Sequence, residues 1–353
     1  MSQPTTSEIP RGEGTEVAKR TKAERIPALD FTKGSLVLIM VLYHWLNYFI
    51  GPQGFFYVYL RFLPPSFIFI TGFLISHVYL QADKITDARI PRRLVIRGLK
   101  ILTIFFVLNE LISLVIPGAG NGKSFGESFS ASALTSVYIT GNSTGGKLAA
   151  FTILVPIAYL LILSAGLLVL CRVYRYIFHV ASIVSLLSIF VLGLNGDKNG
   201  ILELLTVGLL GVSVGHISIQ KVNVVLRHPL TLFFVYLCYL VTITVWDVPY
   251  PLQVIGVCLT LAVIYWLGTI SGDSGAIPRS VILLGKYSLL GYIGQIAILQ
   301  LGRRGLRHVN LGPWELCMTL FGAAALTMMA IEATDRARAK ARIVNAVYTA
   351  VFN

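Results

Sequence analysis

Ten stretches of mostly apolar residues follow one another through this chain, each close to the roughly 20 residues that a helix needs to cross a bilayer. They run over 34–50, 64–80, 98–116, 148–171 and 176–194, and then over 199–217, 229–246, 251–270, 280–301 and 313–333. Inside lipid each backbone N–H and C=O must find a partner within the protein, so such spans fold as helices. The predicted fold class is all-α: a polytopic membrane helical bundle of about ten transmembrane helices. Composition agrees, with 55% hydrophobic and only 13% charged residues, against about 25% charged in soluble domains.

Between a polar segment at 1–26 and a basic segment at 334–353, residues 27–333 form the membrane domain. Residues 1–26 hold no apolar stretch or cleavage site, which predicts a disordered tail without a signal peptide. "TDRARAKARIVN" (334–345) reads as its counterpart at the other end. An even number of spans places both ends on one side. The loops rich in Lys84, Arg89, Arg92, Arg93 and Arg97, in Arg172 and Arg175, and in Lys221 and Arg227 assign that side to the cytoplasm. The expected localisation is the inner (cytoplasmic) cell membrane, multi-pass, with both termini cytoplasmic. The net charge of +13 follows from this distribution and calls for no nucleic-acid partner. One loop, "GRRGLRH" (302–308), breaks the rule. Arg303, Arg304 and Arg307 fall on the predicted outer side, where they meet headgroups or an anionic substrate, or else the span count is off by one.

Cys171, Cys238, Cys258 and Cys317 lie in apolar segments with no ligand spacing, so they read as small buried residues rather than a disulfide or metal set. No Walker loop, GxSxG elbow or HExxH helix occurs. The polar residues inside the spans carry the chemical signal, because ionisable groups at membrane depth are costly and usually face a bundle interior or a wet cavity. In "ALDFTKGSLVLIMVLYHWLNYFI" (28–50), Lys33 and His44 are eleven positions apart. That is nearly three turns, which puts both on one helix face about 16 Å apart. Asp30 is placed to pair with Lys33, and Asn47 and Tyr48 extend the stripe. His44 is then a general base or a partner in an interhelical hydrogen bond.

In "PRRLVIRGLKIL" (91–102), Arg92, Arg93, Arg97 and Lys100 either set topology or bind phosphates. Ten positions past Lys100, Glu110 reaches a depth similar to that of His44 if Lys33 and Lys100 share a level, and a carboxylate orienting a histidine is a familiar base arrangement. Thr71 and Gly72 suit close helix packing. Glu203, Lys286, Tyr287, Tyr292, Gln295 and Glu315 are further candidates to line a cavity. His77, His179, His216 and His228 read as interfacial, and Asn142 begins an N-x-S/T pattern to which no role is assigned.

Three motifs in order resemble those of the acyltransferase-3 family of integral membrane acyltransferases, which is related to glucan-modifying succinyltransferases and heparan-alpha-glucosaminide N-acetyltransferases. "LDFTKGSLVLIMVLYH" is similar to the family's first helix, with Lys33 where the family has Arg. "FIFITGFLIS" (67–76) is similar to its second helix, and "RRLVIRGLK" (92–100) to the Arg-rich entry of its third. A later stretch, "LGKYSLLGYIGQIAIL" (284–299), resembles its SYxxYLxH pattern, with Gln295 where many members have His.

The resemblance implies a ten-span enzyme that moves a short acyl group, acetyl or succinyl, from cytoplasmic acyl-coenzyme A to a hydroxyl of an extracytoplasmic or lipid-linked carbohydrate. The donor is a substrate and no cofactor is bound permanently. On this reading His44 and Glu110 are catalytic, and Lys33, Arg92, Arg93, Arg97 and Lys100 hold the donor. Asn47, Tyr48, Gln295, Arg303 and Arg304 meet the acceptor. N-acyl transfer to an amino sugar and transport of a glycolipid or solute are the alternatives, and membrane lipids are partners in every case.

Overall fold

A computed structural model describes residues 26–51, 54–80, 87–115, 135–141, 151–174, 176–196, 199–217, 219–246, 249–272, 275–306 and 308–352. The tail 1–25, Lys84, Asn142, Arg175, Arg307 and most of the long loop 117–147 lie outside the described residues. What is described is helical throughout. Six helices are long and apolar enough to cross a membrane, or seven if one sharply bent pair counts as a single span. That composition marks a membrane protein, while the expected count of ten is not reached by length and apolarity among the described residues.

The differences have local causes. The expected third span lies within α4 (Arg89–Val115), which begins in a basic segment. The expected sixth and seventh spans are α7 (Gly200–Val214, 15 residues) and, after the short α8 (Ile219–Val225), α9 (Pro229–Val245, 17 residues), both below the usual ~20. The ninth is two helices, α11 (Ala276–Lys286) and α12 (Ser288–Gly305), which meet at 96°. Tyr287 is the joint, with φ −110° and ψ 27°. Its hydroxyl donates to Asp335 Oδ1 at 2.6 Å and accepts from Arg338 Nη1 at 2.9 Å.

Several helices start on proline, whose missing N–H costs nothing in a first turn and whose fixed φ suits a helix. These are α1 (Pro27–Trp45), α3 (Leu63–Tyr79), α9, α10 (Tyr250–Ser271) and α13 (Pro313–Lys340). α1 continues as a π-helical turn, Leu46–Ile50, and a short α2 (Gly54–Leu60) leads into α3. α7 begins instead on an Asn199 cap, whose side chain accepts from Leu202 N at 3.0 Å.

The interior lies where α3, α5 (Leu154–Cys171) and α7 meet, around fully buried Ile68, Leu160 and Val212. Between α3 and α7 the backbones touch. A Cβ on Gly72 would fall 2.0 Å from Gly208 O, and one on Gly211 would fall 2.2 Å from Phe69 O. The same device joins α1 to α11, where a Cβ on Gly285 would lie 1.7 Å from Asp30 O and one on Gly34 1.9 Å from Val281 O. Small residues allow this approach, and dispersion then holds helices that lipid would otherwise solvate equally well.

Outer helices show the reverse pattern. α6 (Ile177–Leu194) buries only Phe178 and Ser182, and α9 only Ile243. Cys238, Cys258 and Cys317 are exposed on such faces, and of the four thiols only Cys171 is buried, which corrects the expectation of four buried cysteines. An apolar exterior removes the force that would drive a thiol inward. The segment 334–345, expected to be a polar tail, is helical. α13 runs to Lys340 with an Arg336–Glu332 ion pair at 3.1 Å one turn apart, and α14 (Arg342–Phe352) turns back onto the bundle after an extended Ala341.

Gly285→Ala is expected to lower stability by about 1–3 kcal/mol through overpacking, seen as a lower unfolding midpoint in detergent. Gly294→Ala, with nothing within 4 Å of the new methyl, is the control and should leave the midpoint unchanged or slightly raised.

Candidate functional site

A cavity of about 330 Å³ opens where the start of α1, the end of α3, the first turns of α4 and the α11–α12 joint converge. Lys33, Arg97, Lys100 and Lys286 all line it. Three of these cations are among the residues the sequence offered as candidates to hold a donor. The fourth, Lys286, enters because the chain breaks at Tyr287 and turns the last residue of α11 toward the cavity. Lys33 is paired with Asp30 at 2.5 Å, as their spacing predicts. Arg97 donates to the Tyr79 hydroxyl at 3.2 Å. Arg92 and Arg93 stay exposed on the first turns of α4 and do not line the cavity.

Away from the cations the walls are apolar, from Ile70 on α3, Ile101 and Ile104 on α4, and Leu154 and Ile157 on α5. One polar ring ends them. Tyr292 lines the cavity and stands against His44 with ring centroids 6.3 Å apart. His44 itself is 7% exposed and lies behind that ring. Its other ring neighbours are Tyr43, edge-on at 5.2 Å, and Tyr48, stacked at 6.0 Å.

Among the described residues the buried His44 Nε2 has no hydrogen-bond partner, so the interhelical hydrogen bond that was one reading of this histidine is not made by that atom. A buried nitrogen left without a partner is destabilising, and a ligand hydroxyl meeting it removes the deficit. Gln295, one turn beyond Tyr292 on α12, is fully buried, and neither amide atom has a partner among the described residues.

Glu110 is not brought to His44. Lys33 and Lys100 line one cavity, but helical rise fixes depth and not direction. Glu110 stands instead within electrostatic reach of Tyr138, whose ring packs edge-on against Phe105.

On the side of His44 away from the cavity, polar groups continue along α1. Asn47 hydrogen-bonds the Tyr43 hydroxyl, which in turn bonds the Tyr57 hydroxyl. Tyr48 accepts from Gln300 Nε2 at 3.1 Å and lies within the field of Arg303. Arg303 and Arg304 are exposed and occupy the last turn of α12 rather than a loop, where cations suit the negative end of the helix dipole. The candidate acceptor residues thus lie beyond His44, at the opposite end of α1 from the cations.

The C-terminal helix is a part of the site that sequence reasoning missed. Tyr348, Val351 and Phe352 close one side of the cavity. Arg338 holds the helix down, with its guanidinium carbon 3.9 Å from the Tyr348 ring centroid and two bonds to Asn345 Oδ1 at 2.8 and 3.1 Å. The apolar spacing of "RIVNAVYTAVF" was the available signal, masked by the arginines before it.

No family model, no curated protein and no solved structure matches the chain, so the likeness to acyltransferase-3 proteins rests on the short motifs themselves.

Proposed function

We propose that the protein is a membrane acyltransferase that moves a short acyl group from acyl-coenzyme A to a carbohydrate hydroxyl. The observation that carries this reading is an apolar cavity with cations at one end and Tyr292 backed by His44 at the other. Lys33, Arg97, Lys100 and Lys286 suit the donor's phosphates, and the apolar walls suit its arm. The thioester then arrives beside His44, while the hydroxyl approaches past Tyr48 and Gln300.

As the acceptor oxygen attacks the thioester carbonyl, its proton passes to His44 Nε2. The carbon–sulfur bond breaks, and the departing thiolate recovers that proton. Gln295 has the donors and the acceptor to orient either substrate. Glu110 has no part in this scheme.

Transport remains a second reading because of the α11–α12 break, since broken helices line substrate sites in transporters. Uptake of unmodified solute without consumption of acyl-coenzyme A would favour it over the enzyme.

His44→Ala is expected to reduce acyl transfer by the purified protein by about 10²–10⁴-fold, the usual contribution of general-base catalysis, with donor affinity retained. Transfer at the wild-type rate by a folded His44→Ala protein removes the base assignment. Arg97→Ala and Lys100→Ala should each raise the donor KM roughly tenfold, in keeping with the loss of one charge-assisted contact. Arg92→Ala, outside the cavity, should leave it unchanged, and equal effects of all three would point to a general surface charge instead.

A further inference from the structure

The two ends of the cavity differ in what they can solvate. Along α3 it extends from Tyr79, which Arg97 touches, to Phe67, twelve residues or about 18 Å of helical rise. At the Phe67 end the walls are Ile70, Ile104, Ile153 and Leu154, and no charged side chain lines that end among the described residues. The one hydroxyl on α3 there is already committed, since Thr71 donates to Phe67 O at 2.8 Å.

A carboxylate carried to this end would lose its water without gaining a cation, which strongly disfavours it. Length is restricted as well. At about 330 Å³ the cavity is at the low end for small-molecule sites. It has room for a slender arm and a few further carbons, and leaves the nucleotide at the charged mouth.

Tyr292 closes the far end. Its ring stands between Phe67 at 6.5 Å, Phe151 edge-on at 6.1 Å and His44 at 6.3 Å. Those three neighbours come from α3, the turn just before α5 and α1, so the ring is held from several sides.

We infer that the acyl group this cavity accepts is short and uncharged, acetyl- to butyryl-sized rather than succinyl, and that Tyr292 is the residue that sets its length. This rests on the donor assignment above and narrows it. The acyl carbons lie against the Tyr292 ring, a longer chain collides with it, and a terminal carboxylate finds no cation to pair with. Removing the ring opens the cavity toward His44 without adding charge, so length selection is lost while charge selection stays.

The test is calorimetric binding of acetyl-, butyryl-, octanoyl- and succinyl-coenzyme A to the purified full-length protein and to Tyr292→Ala, Tyr292→Val and Tyr292→Phe. The wild type is expected to bind acetyl- and butyryl-coenzyme A at least roughly tenfold more tightly than the other two. Tyr292→Ala should bring octanoyl-coenzyme A to within about threefold of butyryl, with succinyl still weak, while Tyr292→Phe keeps the wild-type order. Should the alanine protein not fold, Tyr292→Val carries the same comparison. Succinyl binding equal to butyryl, or a length profile unchanged by loss of the ring, overturns this inference and leaves the donor site standing. Absence of binding by every donor overturns both.

Discussion

The contact between α1 and α11, with Gly285 against the Asp30 carbonyl and Gly34 against that of Val281, decides where the charged part of the site stands. Asp30 holds Lys33, and Lys286 follows Gly285 directly, so one backbone approach brings two of the four cavity cations together. Tyr287 comes next, and there the chain turns through 96° and sends α12 back along α1 with Tyr292 facing His44. Like charges repel at such range, and the arrangement persists because glycine packing and the Asp30 carboxylate offset that repulsion. An anionic ligand offsets it further, which is the physical reason to read the cluster as a binding site rather than as topology signals.

His44 gains its character from what surrounds it. Three tyrosine rings surround it, with Tyr292 between it and the cavity, and its Nε2 has no hydrogen-bond partner among the described residues. A neutral imidazole is the form that accepts a proton. The polar groups past it, from Asn47 to Arg303, give the opposite end of α1 a different chemistry from the Lys33 end. On the proposed function, the donor and the acceptor would approach His44 from these two sides.

Much of this was legible in the sequence where a single helix carries the information. The Lys33–His44 stripe follows from the 3.6-residue period, the Asp30–Lys33 pair from their spacing, and the packing role of Gly72 from its size. What the sequence did not convey needed two helices at once. Glu110 has a suitable depth on α4 but faces Tyr138. Arg92 and Arg93 sit beside Arg97 in sequence but lie on another part of the helix surface, and the α11–α12 break depends on Asp335 and Arg338 from α13. The count of ten spans is not confirmed for a related reason, because apolar length was read as straight helix where the chain is short at α7 and α9 and bent at Tyr287. The fold of α14 over the cavity depends on Arg338 reaching Tyr348, a contact that charge content alone argues against.

On the proposed function, the cavity holds an acyl-coenzyme A with its phosphates on the cations and its acyl end at Tyr292. The most direct measurement is an experimental structure of the protein with a non-hydrolysable thioether analogue of acetyl-coenzyme A. Phosphate density is expected against Lys33, Arg97, Lys100 and Lys286, and the acetyl methyl against the Tyr292 ring. Phosphates bound at Arg303 and Arg304, or an analogue lying outside the cavity, would contradict it.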